Sequence, residues 1–97
     1  MTKQVYAVIT RINYSPLQME IFCQQVNAVK TARSKAYKES KSVSEPDLKE
    51  IYGPDANTLV TKARHLSFPN VIYAAAWGPT ENIALVSTLD VQDVDHS

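Results

Sequence analysis

The chain has 97 residues, of which 44% are hydrophobic and 21% are charged, and its ten basic and ten acidic side chains cancel at pH 7. This length and composition are typical of one compact domain with a thin hydrophobic core. The single cysteine, Cys23, excludes an internal disulfide, and the longest apolar stretches fall far short of the roughly 20 residues that span a bilayer.

The N-terminal part of the chain predicts a strand followed by a long helix. Residues 5–12 are rich in β-branched and aromatic types and are bounded by Asn13 to Pro16, as is typical of a strand. Ser15 fits a helix N-cap and Pro16 a first helical position, so we expect a helix from Pro16 to about Lys38. Apolar side chains at helical spacing would pack on the sheet, namely Met19, Phe22, Val26, Val29 and Ala36.

Two further helices are predicted between residues 44 and 66. Ser44 and Asp47 have the spacing of a capping box and Gly53-Pro54 breaks the pattern, so a short helix is expected from Glu45 to Tyr52. Another helix is expected from Ala56 to Leu66, because its apolar residues follow the i, i+3, i+4, i+7 spacing of a half-buried helix. These residues are Ala56, Leu59, Val60, Ala63 and Leu66.

The C-terminal third predicts a β-hairpin. Val71 to Trp77 and Ile83 to Val91 have strand composition and are separated by a turn at residues 78–82. In the first of these strands, one face would carry Val71, Tyr73, Ala75 and Trp77. The predicted fold is an α+β two-layer sandwich in the order β-α-(α)-α-β-β, with about three strands and the helices packed on one face. We expect a single domain over residues 1–91 and a frayed acidic tail over residues 92–97.

The search for an active site in the sequence is mostly negative. Gly53 and Gly78, the two glycines, are each followed by proline, which excludes a glycine-rich phosphate loop. Cys23 could act as a nucleophile only if His65 came close to it, and a thiol beside an apolar helix face is more often inert packing. No catalytic, cofactor-binding or metal-binding residue is therefore predicted, and an enzyme with a scattered active site is the third alternative.

The charges are unevenly distributed along the chain. Residues 30–41 hold five basic residues against Glu39, a net charge of +4, whereas residues 42–60 and 66–97 carry net charges of −3 and −4. The basic residues Lys30, Arg33, Lys38 and Lys41 would share a helix face with Tyr37. This face is suited to phosphates, but cations also gather at helix C-termini because they complement the helix dipole.

Arg33 falls within the predicted apolar arc of the long helix and has three interpretations. It can snorkel past the sheet edge, it can pair with an acidic group such as Asp47 or Asp90, or it can belong to an apolar and basic surface that meets a partner. Five of the eight aromatic residues are tyrosines, a residue type that is enriched at protein interfaces.

Two functions follow as expectations. The first is a small non-catalytic protein-protein interaction protein, an adaptor, inhibitor or immunity-type binder that could form a homodimer, with Arg33, Tyr37, Tyr73 and Trp77 binding the partner. The second is a nucleic-acid-associated protein that binds phosphates through Lys30, Arg33, Lys35, Lys38 and Lys41, extended by Lys62 and Arg64. The N-terminus carries no basic segment followed by a long apolar run, so a cytoplasmic protein without a membrane partner is expected.

Overall fold

A computed structural model describes residues 2–13, 15–64, 68, 70–79 and 82–92, and for residues 2, 62–64 and 92 it describes the backbone alone. These residues form five strands and two helices. In chain order they are β1 (Thr2–Arg11), β2 (Gln18–Phe22), α1 (Gln25–Ser40), β3 (Lys49–Tyr52), α2 (Ala56–Arg64), β4 (Val71–Trp77) and β5 (Asn82–Gln92).

The five strands form one antiparallel sheet in the order β2-β1-β5-β4-β3. Its centre is the long pair of β1 and β5, which runs without interruption from Thr2 opposite Gln92 to Arg11 opposite Ile83. The short strands β2 and β3 are the two edges. This arrangement leaves one side of each edge strand without a neighbour in the sheet.

Each helix covers a different face of the sheet. Helix α1 packs through Ala28, Ala32 and Ala36 on the face that carries Val8 and Tyr73. Helix α2 packs on the opposite face, where its buried residues Ala56, Leu59 and Val60 meet Ala7, Ile83 and Leu85. The central strand, β5, is therefore apolar on both faces, and its residues 83–86 are all fully buried.

The predicted three-stranded sheet with its helices on one face is therefore wrong. The structure has five antiparallel strands, which hold more of the chain than the helices do, and it places one helix on each face. The error has a local origin, because two segments predicted as helix are the edge strands. Their hydrogen-bonding partners lie elsewhere in the chain, and helical spacing within a short window does not report such pairing.

The predicted helix from Pro16 to Lys38 divides into a strand and a shorter helix. Residues 18–22 pair with β1 from Thr10 opposite Gln18 to Tyr6 opposite Phe22, and α1 begins only at Gln25. The apolar face predicted for this helix is wrong at Met19 and Val26, which are both exposed. Ala36 is buried, and Phe22 and Val29 are partly buried against the same cluster. The buried face of α1 is instead a row of small residues at intervals of four, Ala28, Ala32, Ala36 and Ser40.

The predicted helix from Glu45 to Tyr52 is also wrong. Residues 49–52 form β3, which pairs with β4 from Lys49 opposite Ala76 to Tyr52 opposite Tyr73. The capping box is not formed, because Asp47 has a positive φ of 43° that begins no helix.

Three other predicted elements are confirmed. The first strand is β1, the C-terminal hairpin is β4 and β5, and the helix predicted from Ala56 is α2, which is described as far as Arg64. Residues 65–67 lie outside the described residues, as do residues 93–97 of the predicted tail. Within the part of the chain that is described, no helix combines the length and apolar character needed to cross a membrane.

Candidate functional site

An open groove runs between helix α1 and the edge of the sheet formed by β3. Its volume is about 770 Å³. We call it the α1/β3 groove. It is lined by Gln25, Val26, Val29, Lys30, Arg33, Ser34 and Tyr37 of α1, by Tyr52 of β3 and by Ile72 of β4.

The walls of the α1/β3 groove are apolar side chains that the fold leaves in solvent. Val26 is 68% exposed, and Tyr37 and Tyr52 are also among the large apolar side chains that the chain exposes. Because α1 contacts the sheet through its alanine row, Val26 and Val29 lie on the flank of the helix that faces β3. Contiguous apolar surface of this kind is typical of binding sites.

A β-bulge in β4 places Ile72 in this groove. The pairing of β4 with β5 shifts between Val71 and Tyr73, so Ile72 is the additional residue. Val71 packs in the core on the α2 side, while Ile72 packs with Tyr73 on the α1 side. The predicted common face of Val71, Tyr73, Ala75 and Trp77 is therefore wrong at its first residue, because strict alternation does not hold across a bulge.

A network of polar side chains centred on Glu50 borders the groove. The Tyr73 hydroxyl donates a hydrogen bond to Glu50 Oε1 at 2.9 Å, and the Tyr37 hydroxyl donates to Glu50 Oε2 at 3.2 Å. Arg33 Nε lies 3.6 Å from Glu50 Oε1, and its guanidinium lies 5.0 Å from the centre of the Tyr37 ring. Tyr52 packs edge-on against Tyr73 with ring centres 5.0 Å apart. These contacts hold the rings of Tyr37 and Tyr52, which line the groove, in place.

The environment holds two members of this network in fixed protonation states. Burial, followed by the hydrogen bond to Glu50, raises the pKa of Tyr73 far above its ordinary value of 10.0, so its hydroxyl remains a donor at neutral pH. The hydrogen bond with Tyr37 raises the pKa of Arg33 above its ordinary value. Arg33 is therefore a cation at any pH at which the protein is studied.

The basic residues of α1 separate into two groups in the structure. Lys35 points towards β2 and forms an ion pair with Glu20 at 2.7 Å. Lys30, Lys38 and Lys41 are exposed and have no ion pair among the described residues, and of these three only Lys30 lines the groove. The predicted basic face therefore divides into Lys30 and Arg33 in the groove and two lysines near the end of the helix, Lys38 and Lys41.

The four residues predicted to bind a partner occupy different environments. Arg33 and Tyr37 line the groove. Tyr73 and Trp77 are buried in the core beneath α1, so neither can serve as a surface anchor in this conformation. Of the three interpretations of Arg33, the structure shows pairing with an acidic group, and that group is Glu50 instead of the examples Asp47 and Asp90. The side chains of Lys62 and Arg64 lie outside the described residues.

Sequence reasoning missed several groove residues, including Val26, Tyr52 and Ile72. Val26 and Tyr52 were assigned to helices with other boundaries, which gave them other neighbours. The bulge at Ile72 has no marker such as a glycine in the sequence. Tyr52 did carry a usable signal, since a tyrosine beside Gly53-Pro54 lies at the end of an element and close to solvent.

Two further features bear on the chemistry of the described residues. Cys23 is a free, exposed thiol, and His65, which would have to lie close to it for a nucleophilic role, lies outside the described residues. Within the described ranges no three histidine, cysteine or acidic side chains are close enough to share a metal ion. The groove itself presents apolar surface, two cations and hydroxyl groups, an arrangement suited to non-covalent recognition.

Comparison with known proteins gives a single result. No family model matches the chain, and no curated protein and no solved structure matches it.

Proposed function

We propose that this protein is a non-catalytic protein-binding module whose α1/β3 groove holds an apolar and acidic segment of a protein partner. The observation that carries the proposal is the gathering of exposed Val26, Tyr37 and Tyr52 around one groove. Burying such side chains releases about 25 cal/mol for each square ångström of apolar surface that leaves water. Tyrosine is moreover enriched among the residues that dominate binding energies at interfaces.

The charge of the groove supports an acidic occupant. Among the residues that the structure describes, no aspartate or glutamate lines the groove, whereas Lys30 and Arg33 do. Glu50 pairs with Arg33 at Nε, and about half of the Arg33 side chain stays exposed. Lys30 has no ion pair among the described residues. A carboxylate of the partner placed near Lys30 would complete the charge pairing without displacing Glu50.

The test is a selection of peptides from a displayed random library on the purified protein. Selected peptides should combine aromatic or aliphatic residues with one or more carboxylates. Their binding, measured by fluorescence anisotropy, should be lost in Val26→Asp and weakened about tenfold in Lys30→Glu, since a reversed charge costs on the order of 1.4 kcal/mol.

Matched controls separate the groove from a general surface effect. Val91→Asp places the same charge on an exposed apolar side chain of β5, and Lys38→Glu reverses an exposed lysine of α1 outside the groove. Both should keep the affinity within about twofold of the parent protein. Peptides that bind equally well to Val26→Asp, or that lack acidic residues, would contradict the proposal.

A second candidate function is nucleic-acid binding through the exposed face of α1. It is favoured by Lys30, Lys38 and Lys41, which are exposed and lack ion pairs among the described residues. Phosphate binding falls steeply with salt because counterions are released. If this function holds, Lys38→Glu should weaken the binding of an oligonucleotide and lower its salt dependence, while Val26→Asp should leave both unchanged.

A further inference from the structure

The edge strand β2 carries a second exposed apolar surface, on the opposite side of the sheet from the groove. Met19 is 60% and Ile21 is 54% exposed, and Leu17, just before the strand, is exposed as well. Met19 lies opposite Ile9 and Ile21 opposite Ala7, so both point to the face that α2 covers. Within the described residues α2 lies over β3, β4 and β5 and does not cover β2.

Strand β2 has few of the features that usually protect a sheet edge, Glu20 being its one charged residue. It contains no lysine and no proline, and it pairs with β1 over five consecutive residues without a bulge. The other edge, β3, has only four residues and begins with Lys49. An unbroken edge with exposed apolar side chains is a template for another strand.

We infer that a second copy of this chain occupies the edge, pairing β2 with β2 in antiparallel orientation about a two-fold axis through Glu20. Glu20 is the middle residue of the five, so only this register pairs every residue of both strands. It also sets Met19 of one copy opposite Ile21 of the other, twice by symmetry. The apolar side chains of β2 are thus complementary to themselves.

The charges of this register are balanced by Lys35. The axis brings the two Glu20 side chains together on the α1 face, and like charges directly opposite each other destabilise a strand pair. Each Glu20 already has Lys35 at 2.7 Å within its own copy. The interface would therefore hold two acidic and two basic groups in the order Lys35, Glu20, Glu20, Lys35.

Sedimentation equilibrium of the full chain over a wide concentration range tests the inference. The parent protein should fit a monomer and dimer equilibrium. Met19→Asp and Ile21→Lys should each abolish the dimer, while Val91→Asp and Val26→Asp should leave it unchanged. Circular dichroism of each variant checks that the fold is retained, and the use of two edge variants guards against one that does not fold.

The Glu20 register has its own test. Lys35→Ala should weaken the dimer about two- to fivefold by exposing the repulsion between the two Glu20 side chains. Adding Glu20→Gln to Lys35→Ala should restore the parent affinity. Three results would overturn the inference: a parent protein that stays monomeric at millimolar concentration, species larger than a dimer, or a dimer that tolerates Met19→Asp. An unchanged dimer affinity in Lys35→Ala would overturn the proposed register.

Discussion

Tyr73 and Glu50 are joined by a 2.9 Å hydrogen bond that links the buried centre of the sheet to the α1/β3 groove. Tyr73 is fully buried, whereas Glu50 is partly exposed and also accepts a hydrogen bond from Tyr37. Loss of this hydrogen bond should therefore cost more stability when it leaves the Tyr73 hydroxyl unpaired than when it leaves the Glu50 carboxylate unpaired, because only Tyr73 is shielded from water.

This asymmetry predicts a rank order of stabilities. Glu50→Ala leaves the buried Tyr73 hydroxyl without its acceptor and should lower the free energy of unfolding by about 1–3 kcal/mol. Tyr73→Phe removes the donor itself and should cost about 1 kcal/mol. Glu50→Gln keeps an acceptor oxygen and should cost least. Urea unfolding followed by circular dichroism measures all three, and a Tyr73→Phe variant less stable than Glu50→Ala would contradict the assignment.

The raised pKa of Tyr73 predicts a loss of stability in alkaline solution. Above about pH 10 a tyrosine in the unfolded chain releases its proton, while Tyr73 in the folded protein keeps it. The unfolded state is then favoured, and the contribution of Tyr73 falls by up to about 1.4 kcal/mol per pH unit. Between pH 9 and pH 11 the parent protein should lose about 1.4 kcal/mol more than Tyr73→Phe.

The measurement is the difference between two urea unfolding experiments at each pH. Other tyrosines and the lysines titrate in the same range, but they are shared by the two proteins and cancel in the comparison. Equal losses in the parent protein and in Tyr73→Phe would show that the Tyr73 hydroxyl titrates normally.

The sequence predicts a strand most reliably where the strand that it pairs with is its neighbour in the chain. β4 and β5 are neighbours in the chain and join through a short turn, so strand composition and Gly78 were sufficient to predict their hairpin. The helical spacing of Met19, Phe22 and Val26 predicts a helix where the chain forms β2. The same segment alternates Gln18, Glu20 and Phe22 with Met19 and Ile21, a period of two that was overlooked.

Only part of the α1/β3 groove could be predicted from the sequence, because its other residues depend on how α1 packs and on the order of the strands. The sequence points to Arg33 because a cation among apolar helix positions is unusual, and to Tyr37 because it shares a helix face with the basic residues. Helix α1 packs through alanines, which contribute little to a hydrophobic pattern, so the pattern places the larger and exposed Val26 in the core instead. Glu50 could not be connected to Arg33 until β3 was placed beside β4, since their proximity depends on the strand order.

The two glycines provide a prediction about the turns, since both have a positive φ, 89° at Gly53 and 78° at Gly78. An alanine at either position is strained by about 1–2 kcal/mol. At Gly78 the added methyl group would also lie 3.1 Å from Asn82 Nδ2 and 3.3 Å from Val43 Cγ1, while at Gly53 it would meet nothing within 4 Å. Gly78→Ala should therefore be the more destabilising of the two.

Thermal unfolding of the two glycine variants side by side makes this comparison. Backbone strain is common to both, so the difference between their midpoints reports the contacts around Gly78. The Gly78 amide also donates a hydrogen bond to the Pro46 carbonyl at 2.6 Å, and a displaced turn would lengthen it. Equal midpoints would indicate that Val43 and Asn82 move aside without cost.

The alanine row of α1 predicts how the helix sets the width of the groove. Ala32 is fully buried in the cluster that also contains Ala75 and Ala84 of the sheet, so small residues meet across this interface. Ala32→Leu adds three carbon atoms there and should lower the free energy of unfolding by about 1–3 kcal/mol through overpacking. Lys38→Leu, on the exposed side of the same helix, should stay within about 0.5 kcal/mol of the parent protein.

Ala32→Leu should also change the width of the α1/β3 groove. Val26 and Val29 are carried by α1, while Tyr52 and Ile72 belong to the sheet, so any displacement of the helix changes the distance between the two walls. Peptides selected on the parent protein should bind Ala32→Leu more weakly, although Ala32 does not line the groove, and should bind Lys38→Leu normally. A folded Ala32→Leu variant with full peptide affinity would show that the two walls adjust independently of the helix packing.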